Sequence, residues 1–565
     1  MPEYSIRIYI LLLFTPSEPS QCKDKADVFG EAGGDLSIAR RYHPDNSYRF
    51  LYPLAMKLYN FPMIYLGIDC GTQSLKVLAW NRETLECVSS SSSYELISGL
   101  PPGHKEQHPG EWIKALGSCM TELREKGVKM DCVQGIGVSG QQHGLVVLDM
   151  GDQVIRPAKL WNDTSTSKQC DEILARAGGL SCYQEETGNS LPPGFTASKI
   201  LWIKEHEPDS YDRIRSLMLP HDYLNFYLTG AKSAEAGDAS GTGYFRVAER
   251  TWSQKALHWI DPDKDLLSLL PSLIESRSVC GGLRKALSES WGIPLGTPVS
   301  SGGGDNMMGA IGTGNVRTGP MTVSLGTSGT LYCYSEDPLK DPEGEVAAFC
   351  DSTGAWLPLV CTMNVTVATE MIRNNILGFD HSEFGRSIES VPPGCDGLLL
   401  LPYLEGERVP SIPDGCGVLL GLRPDACSPS HLARAAMEGA SMGLKYGFQR
   451  LGSLGIETSE IRLTGGGSKS GVWRQILADL FGVPVVCPEG EEGPAFGAAL
   501  QACWAVEKTD IGTLADECVR LDEKTRCLPV DANREVYETL YELFQNLSNT
   551  LASATVFPGH RKFIE

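Results

Sequence analysis

From residue 64 onward, apolar runs of strand length alternate with short polar turns that contain glycine, and longer stretches of helical spacing appear between them. Ile64, Tyr65, Leu66, Gly67 and Ile68 form a buried strand, Asp69-Cys70-Gly71-Thr72-Gln73-Ser74 a tight turn, and Leu75 to Trp80 the returning strand. The pattern recurs much later, with Met321 to Leu325 as strand, Gly326-Thr327-Ser328-Gly329 as turn and Thr330 to Tyr334 as the return. Two units of strand, Gly-Thr turn and strand suggest an internal duplication. Between them, Val133 to Val138 reads as a strand that ends abruptly in Ser139-Gly140-Gln141-Gln142-His143-Gly144 and resumes at Leu145 to Leu148, while Asp222 to Leu228 reads as a helix closed by Thr229-Gly230. Ser428 as N-cap and Pro429 at the first position open a helix to about Arg450. Its small residues Ala436, Ala440, Gly443 and Gly447 imply close packing on a neighbouring helix, or simply an alanine-rich helix. Ile461 to Thr464 is a strand, Gly465-Gly466-Gly467-Ser468 a loop and Gly471 to Phe481 a helix. Residues 523 to 554 read as a terminal helix on the outside of the fold.

The turns point to chemistry. A glycine turn brings backbone N–H groups and a threonine hydroxyl close to phosphate oxygens, with no side chain to block approach. Either turn alone is as well read as an ordinary hairpin; two at matching points of two halves favour a nucleotide held between the halves. Asp69, at a strand end beside such a turn, is placed to hold Mg2+ directly or through water. The strand, glycine loop and helix at 461 to 481 put helix N-terminal N–H groups at the loop, another natural place for a nucleotide.

Composition narrows the partners. The 565 residues are enough for two to four domains, and 42% hydrophobic with 21% charged residues describes a soluble globular protein. A formal charge of −21 argues against nucleic acid or an anionic membrane as partner. The 18 cysteines are scattered with no CxxC pair, which favours buried reduced thiols in the cytoplasm over disulfides or zinc. The first 62 residues differ from the rest. The apolar run Ile8 to Phe14 lacks a basic flank and a clear cleavage site, and Lys23 to Asp35 has no periodicity, so this segment is expected to be an unstructured extension or a misassigned start.

Taken in order, Asp69-Cys70-Gly71-Thr72, Ser139 to Gly144, Leu160-Trp161-Asn162-Asp163, Gly194 to Lys199, Gly302-Gly303-Gly304-Asp305-Asn306, Ser324 to Gly329, Pro402 to Arg408 and Gly465-Gly466-Gly467 with Trp473-Arg474-Gln475 resemble the FGGY carbohydrate kinases over about Met63 to Val506. The resemblance implies an α/β fold of two actin-like (ribonuclease H-like) domains flanking a deep catalytic cleft. It divides the chain into residues 63–308 on the sugar and phosphate side, 309–510 on the nucleotide side and a helical tail at 511–565. It implies an ATP-dependent phosphotransferase acting on a sugar alcohol group, with Mg2+. The expected partners are a small sugar and ATP, with no nucleic acid and no membrane and with room for a homodimer.

Phosphoryl transfer asks a protein mainly for positioning, charge stabilisation and a base on the acceptor hydroxyl. The resemblance makes Asp305 that base, although its local sequence suits a helix cap equally well. It makes Gln142, His143, Trp161, Asn162, Asp163 and Asn306 the sugar residues, with Asp163 alternatively only orienting Asn162. Gln142 and His143 look like the pair of family members that act on D-xylulose, although Gln142 stands where methionine is frequent. Thr72, Gly326 and Thr327 are carried over to the phosphates, Gly466 and Ser470 to the adenosine end, and Asp69 to the metal. Arg408 reads as a phosphate clamp or as half of a buried Glu407–Arg408 network. A kinase for ribulose or another ketose, or a non-catalytic sugar sensor, are the rival readings.

Overall fold

The structure, a computed structural model, describes residues 62–490, 493–553 and 556–564. The expected N-terminal extension lies outside the described residues. Beyond it, two mixed sheets repeat one topology. The first comprises β1 (Ile64–Cys70), β2 (Ser74–Asn81), β3 (Cys87–Ser93), β4 (Val133–Gly140), β5 (Val279–Gly282), β6 (Pro298–Ser300) and the short β7 (Gly303–Gly304). Its order is β5-β6-β4-β1-β2-β3, with β7 also beside β4. The second comprises β8 (Gly319–Leu325), β9 (Gly329–Cys333), β10 (Leu359–Thr362), β11 (Thr458–Thr464), β12 (Val485–Pro488) and β13 (Leu521–Cys527), in the order β10-β9-β8-β11-β12-β13. In both, an antiparallel meander of three strands is followed by a parallel strand added next to the first. The duplication expected from the two hairpins therefore extends to four strands of each sheet.

Helices fill both faces. The chief ones are α1 (Pro109–Glu125), α2 (Pro220–Thr229), α3 (Asp305–Gly312), α4 (Pro429–Ser453), α5 (Gly471–Phe481), α6 (Gly493–Glu507) and α7 (Asp531–Ser553). Local signals set their ends, for α2 and α4 as the sequence predicts. Gly230 closes α2 in the left-handed region, Ser428 caps α4 through His431 N, and Ser470 caps α5 through Trp473 N.

Three expectations change. Of the small residues on α4, Gly447 makes its closest approaches to Val360 and Leu331 of β10 and β9, so part of that face packs on strands, while Ser441 of the same helix accepts from the Trp473 indole on α5. The stretch 521–527 is an edge strand paired with β12, and the terminal helix begins only at Asp531. That helix is no mere outer layer, because Tyr537, Leu540, Tyr541 and Phe544 enter the core of the second half. The tightest helix contact is one the sequence did not single out. α6 runs across the first sheet and against α3, with its backbone touching the faces of Gly67 and Gly137, where any Cβ would overlap the Ala495 and Ala498 carbonyls. A helix from late in the chain thus seals the underside of the strands that carry the candidate site.

The 17 cysteines among the described residues are free. No helix among those residues is long and apolar enough to cross a membrane.

Candidate active site

Parallel β1 and β4 end together, with Asp69 opposite Ser139, and Ser139 Oγ donates to Asp69 Oδ1 at 2.8 Å. Both chain exits therefore open on the C-terminal edge of the first sheet, where open α/β sheets place their ligands. β7 lies beside Ser139 and Gly140, so Asp305, the first residue of α3, emerges next to Gln141 and Gln142.

Side chains clamp the first turn from several directions. Tyr94 OH donates to Gly71 O at 2.7 Å, Gln107 Nε2 to Thr72 O at 2.6 Å, and Gln141 Nε2 to Gly71 O at 3.3 Å. The Thr72 hydroxyl donates to Gln141 Oε1 at 3.1 Å and accepts from the Trp161 indole N–H at 2.9 Å. Trp161, expected on the sugar side, and Thr72, expected on the phosphate side, are thus bonded to one another. Tyr94, Gln107 and Gln141 had no assigned role from sequence; only Gln141, inside a polar run after a strand, carried a signal that could have found it.

Asp305 and Asn306 are half-buried. Asn306 donates to Asp305 Oδ1 from its backbone N at 2.8 Å and from Nδ2 at 3.1 Å, and Nδ2 also donates to Gln142 Oε1 at 3.0 Å. Burial, and then the negative charges of Asp69 and Asp238, push the Asp305 carboxyl up to about 7. A carboxyl poised near neutrality is matched to taking a proton from a hydroxyl at working pH.

His143 occupies the left-handed region at φ 64. Its ring lies against Phe195 and Phe349, with centroids 4.7 and 5.8 Å away. Burial, and then the positive charges of Lys199 and Arg408, depress its pKa to about 3, so the imidazole is neutral and offers one donor and one acceptor. Its Nδ1 is buried without a partner, as is Asn162 Oδ1 on the Trp161 loop. Buried polar atoms are nearly always paired, so Asn162 Oδ1 is a position for a polar ligand, whereas His143 Nδ1 is packed against the Gly241 backbone, where a Cβ would stand 2.0 Å from it. Fully buried Lys199 donates to His143 O at 2.7 Å and Gly194 O at 2.6 Å, and so pins the His143 turn to the loop before Phe195.

Asp163 is the predicted sugar residue that the structure does not bring to this group. It is fully buried and accepts from Lys105 N, Lys159 Nζ, Ser165 N and Ser165 Oγ at 2.9, 3.0, 3.0 and 2.5 Å. With His104 and Glu106 it has the spacing of a metal centre. The cation among them is the Lys159 ammonium, 3.3 Å from His104 Nδ1 and 3.2 Å from Glu106 Oε1. Asp163 therefore fixes the loop that carries Trp161 and Asn162.

In the second half, β8 and β11 also run parallel, with Ser324 opposite Thr464. The Gly326-Thr327 turn is held by main chain, through Thr366 N to Gly326 O at 3.0 Å and Val365 N to Thr327 O at 3.2 Å. Thr327 and Gly466 are exposed. Ser470 Oγ is occupied as the cap of α5. Buried Glu407 accepts from Met363 N, Asn364 Nδ2 and the Arg408 backbone N at 2.7, 2.9 and 2.7 Å. The expected Glu407–Arg408 network thus uses the arginine's main chain, leaving its side chain exposed and close enough to His143 to depress that ring's pKa.

Comparison with known proteins agrees with this arrangement. Residues 64–312 match the N-terminal domain of the FGGY family of carbohydrate kinases and residues 321–506 its C-terminal domain. The chain is 40% identical over 488 residues to a xylulose kinase of Haemophilus influenzae, covering 85% of this chain and 98% of that one. It is 34% identical over 487 residues to the xylulose kinase of Escherichia coli K12, covering 85% and 99%. Among solved structures it resembles a "xyloylose kinase" from Brucella ovis at TM-score 0.81 and 32% identity, covering 87% of this chain and 99% of that one. A gluconate kinase from Lactobacillus acidophilus superposes equally well, at TM-score 0.81 but 24% identity, with 87% and 98% covered, so the fold alone does not choose the sugar. The two matched domains, the repeated sheets and the residues gathered at their edges make this chain a member of the FGGY family of carbohydrate kinases, enzymes that phosphorylate sugars with ATP.

Proposed function

We propose that the chain transfers the γ-phosphoryl group of ATP to D-xylulose, giving D-xylulose 5-phosphate, with Asp305 as general base. The observation that carries this reading is the linked set Asp305, Asn306 and Gln142 at the sheet edge, with the Asp305 carboxyl raised to about 7. The identity to xylulose kinases over 98–99% of their length supports the choice of sugar.

Asp305 takes the proton of the sugar hydroxyl as its oxygen attacks the γ-phosphorus, and the bond from that phosphorus to the bridging oxygen of ADP breaks. The neutral His143 imidazole and the unpaired Asn162 Oδ1 bind sugar hydroxyls, Asn306 and Gln142 hold the reacting end, and the Trp161 ring covers the C–H edge. Thr72, Gly326 and Thr327 cradle the phosphates, and Gly466 with the capped turn at Ser470 borders the adenosine end. A divalent cation fits the first sheet's edge, because Asp69 and Asp238 there raise Asp305 by like-charge repulsion that a cation relieves. Asp69 would hold it, and bound Mg2+ would neutralise charge on the phosphate oxygens. We assign the enzyme to the cytoplasm, a reading supported by the free thiols among the described residues.

The test is Asp305→Asn assayed by coupled ADP release. Maximal rate should fall by at least ~10²-fold with ATP binding retained, and near-normal turnover would refute the base. A second reading, a kinase for another ketose such as ribulose, is kept by Gln142, whose amide occupies a position where the resemblance leads one to expect methionine.

A further inference from the structure

We propose that His221 is a positioning residue, held as an imidazolium, that locks the loop bearing Asp305 against the sugar-binding residue Gln142. This rests on the reading of Asp305 as base. His221 lies on α2, fully buried, and both ring nitrogens face acceptors. Nδ1 is 2.7 Å from Asp238 Oδ2 and Nε2 is 3.1 Å from the Ser301 carbonyl. The Ser301 carbonyl accepts only, so Nε2 carries a proton, and with Asp238 ionised Nδ1 carries one too.

The surroundings agree. The charged groups facing the ring are Asp222 from α2, with Oδ1 3.4 Å from Nδ1, and Asp238 and Glu235 from the segment packed against it. Burial alone would lower the ring's pKa, but these carboxylates outweigh it and bring it to about 9. Burial raises the pKa of Asp222, Asp238 and Glu235, and the imidazolium is the charge that lets carboxylates among them stay ionised.

The contacts nearly form a ring. Ser301 is followed directly by Gly302-Gly303-Gly304-Asp305. Asp305 is bonded through Asn306 Nδ2 to Gln142 Oε1. The other Gln142 atom, Nε2, and Asp238 Oδ1 are both buried without partners at bonding geometry, yet the amide lies close enough to lower the Asp238 pKa. One small rotation joins donor to acceptor and closes the circuit Asp305, Asn306, Gln142, Asp238, His221, Ser301. Asn225 Nδ2 donates to the same Ser301 carbonyl at 2.7 Å, a second anchor from α2. His221 touches no reacting atom in this scheme. It fixes where the base stands.

Two measurements test this on the full chain. In protein labelled with 15N at histidine, with His221 assigned by its loss in His221→Gln, both ring nitrogens should carry protons at pH 7.5; a neutral tautomer there overturns the proposal. In kinetics, His221→Gln should lower kcat by roughly 10²-fold, the scale of a misplaced reacting group, with the KM for ATP unchanged. His221→Lys, which restores a buried cation and its donors, should recover most of that loss. Normal kcat in His221→Gln overturns the proposal, while an inactive Asp305→Asn shows that the base assignment survives. Should the variants fail to fold, the nitrogen measurement on the wild-type chain, assigned by exclusion from variants of the other nine histidines, decides the matter.

Discussion

At the exit of β4 the chain reads Ser139-Gly140-Gln141-Gln142-His143, and at the matching exit of β11 it reads Thr464-Gly465-Gly466-Gly467-Ser468. The two hairpin turns differ in the same sense. The turn after β1 follows Asp69 and is clamped by Tyr94, Gln107, Gln141 and Trp161 side chains, whereas the turn after β8 follows Ser324 and is held by backbone. One scaffold is thus used twice, once to present side chains and once to present bare main chain. Side chains suit a sugar, whose hydroxyls need donors and acceptors in fixed places. Exposed backbone suits phosphate and adenosine, which take N–H groups and close approach.

This contrast can be broken in order of effect. The largest change is expected from Asp305→Asn, with its loss of at least ~10²-fold in rate and intact ATP binding. Next is pH. Because the Asp305 carboxyl is raised to about 7, it is protonated and useless as a base below that value and ionised above it. The kcat/KM for sugar should therefore fall, roughly tenfold per unit, as pH is lowered through the Asp305 pKa, which a cation at Asp69 brings below about 7, and Asp305→Asn should lose this limb; the same acid limb in Asp305→Asn would contradict the assignment.

Gly465→Ala probes the backbone half. Gly465 sits at φ +83, and a Cβ there would lie 2.6 Å from Leu325 O. A left-handed non-glycine residue costs about 1–2 kcal/mol before that clash, so the KM for ATP should rise by about tenfold or more while sugar affinity holds. His143→Ala probes the side-chain half and has the smallest effect. Loss of a hydrogen bond worth about 0.5–1.5 kcal/mol should raise the sugar KM roughly 2- to 13-fold and leave the ATP KM alone. If the two variants exchanged their effects, the division of labour between the halves would be wrong.

Much of this was legible in the sequence because it is local. Glycine turns, the cap Ser428 and strand-length apolar runs fix the hairpins and α4 through interactions within a few residues. The rest depends on partners distant along the chain. Nothing near Gln107 announces that it bonds Thr72 O, and nothing near Gly493–Glu507 says that it lies on Gly67 and Gly137. Leu521–Cys527 is strongly polar and becomes a strand because β12 offers it an edge. Asp163 sits in a motif beside Trp161, yet Lys159, four residues earlier, claims its carboxylate. The Arg408 side chain is left exposed because Glu407 spends its oxygens on Met363, Asn364 and main chain, a choice visible only in three dimensions.

The most direct test of the central claim is ADP release measured with the purified full chain over D-xylulose, D-ribulose, xylitol, glycerol and no sugar. D-Xylulose should give the highest kcat/KM, with little turnover when sugar is omitted. A higher kcat/KM on another member of the panel, or turnover independent of sugar, would contradict the account.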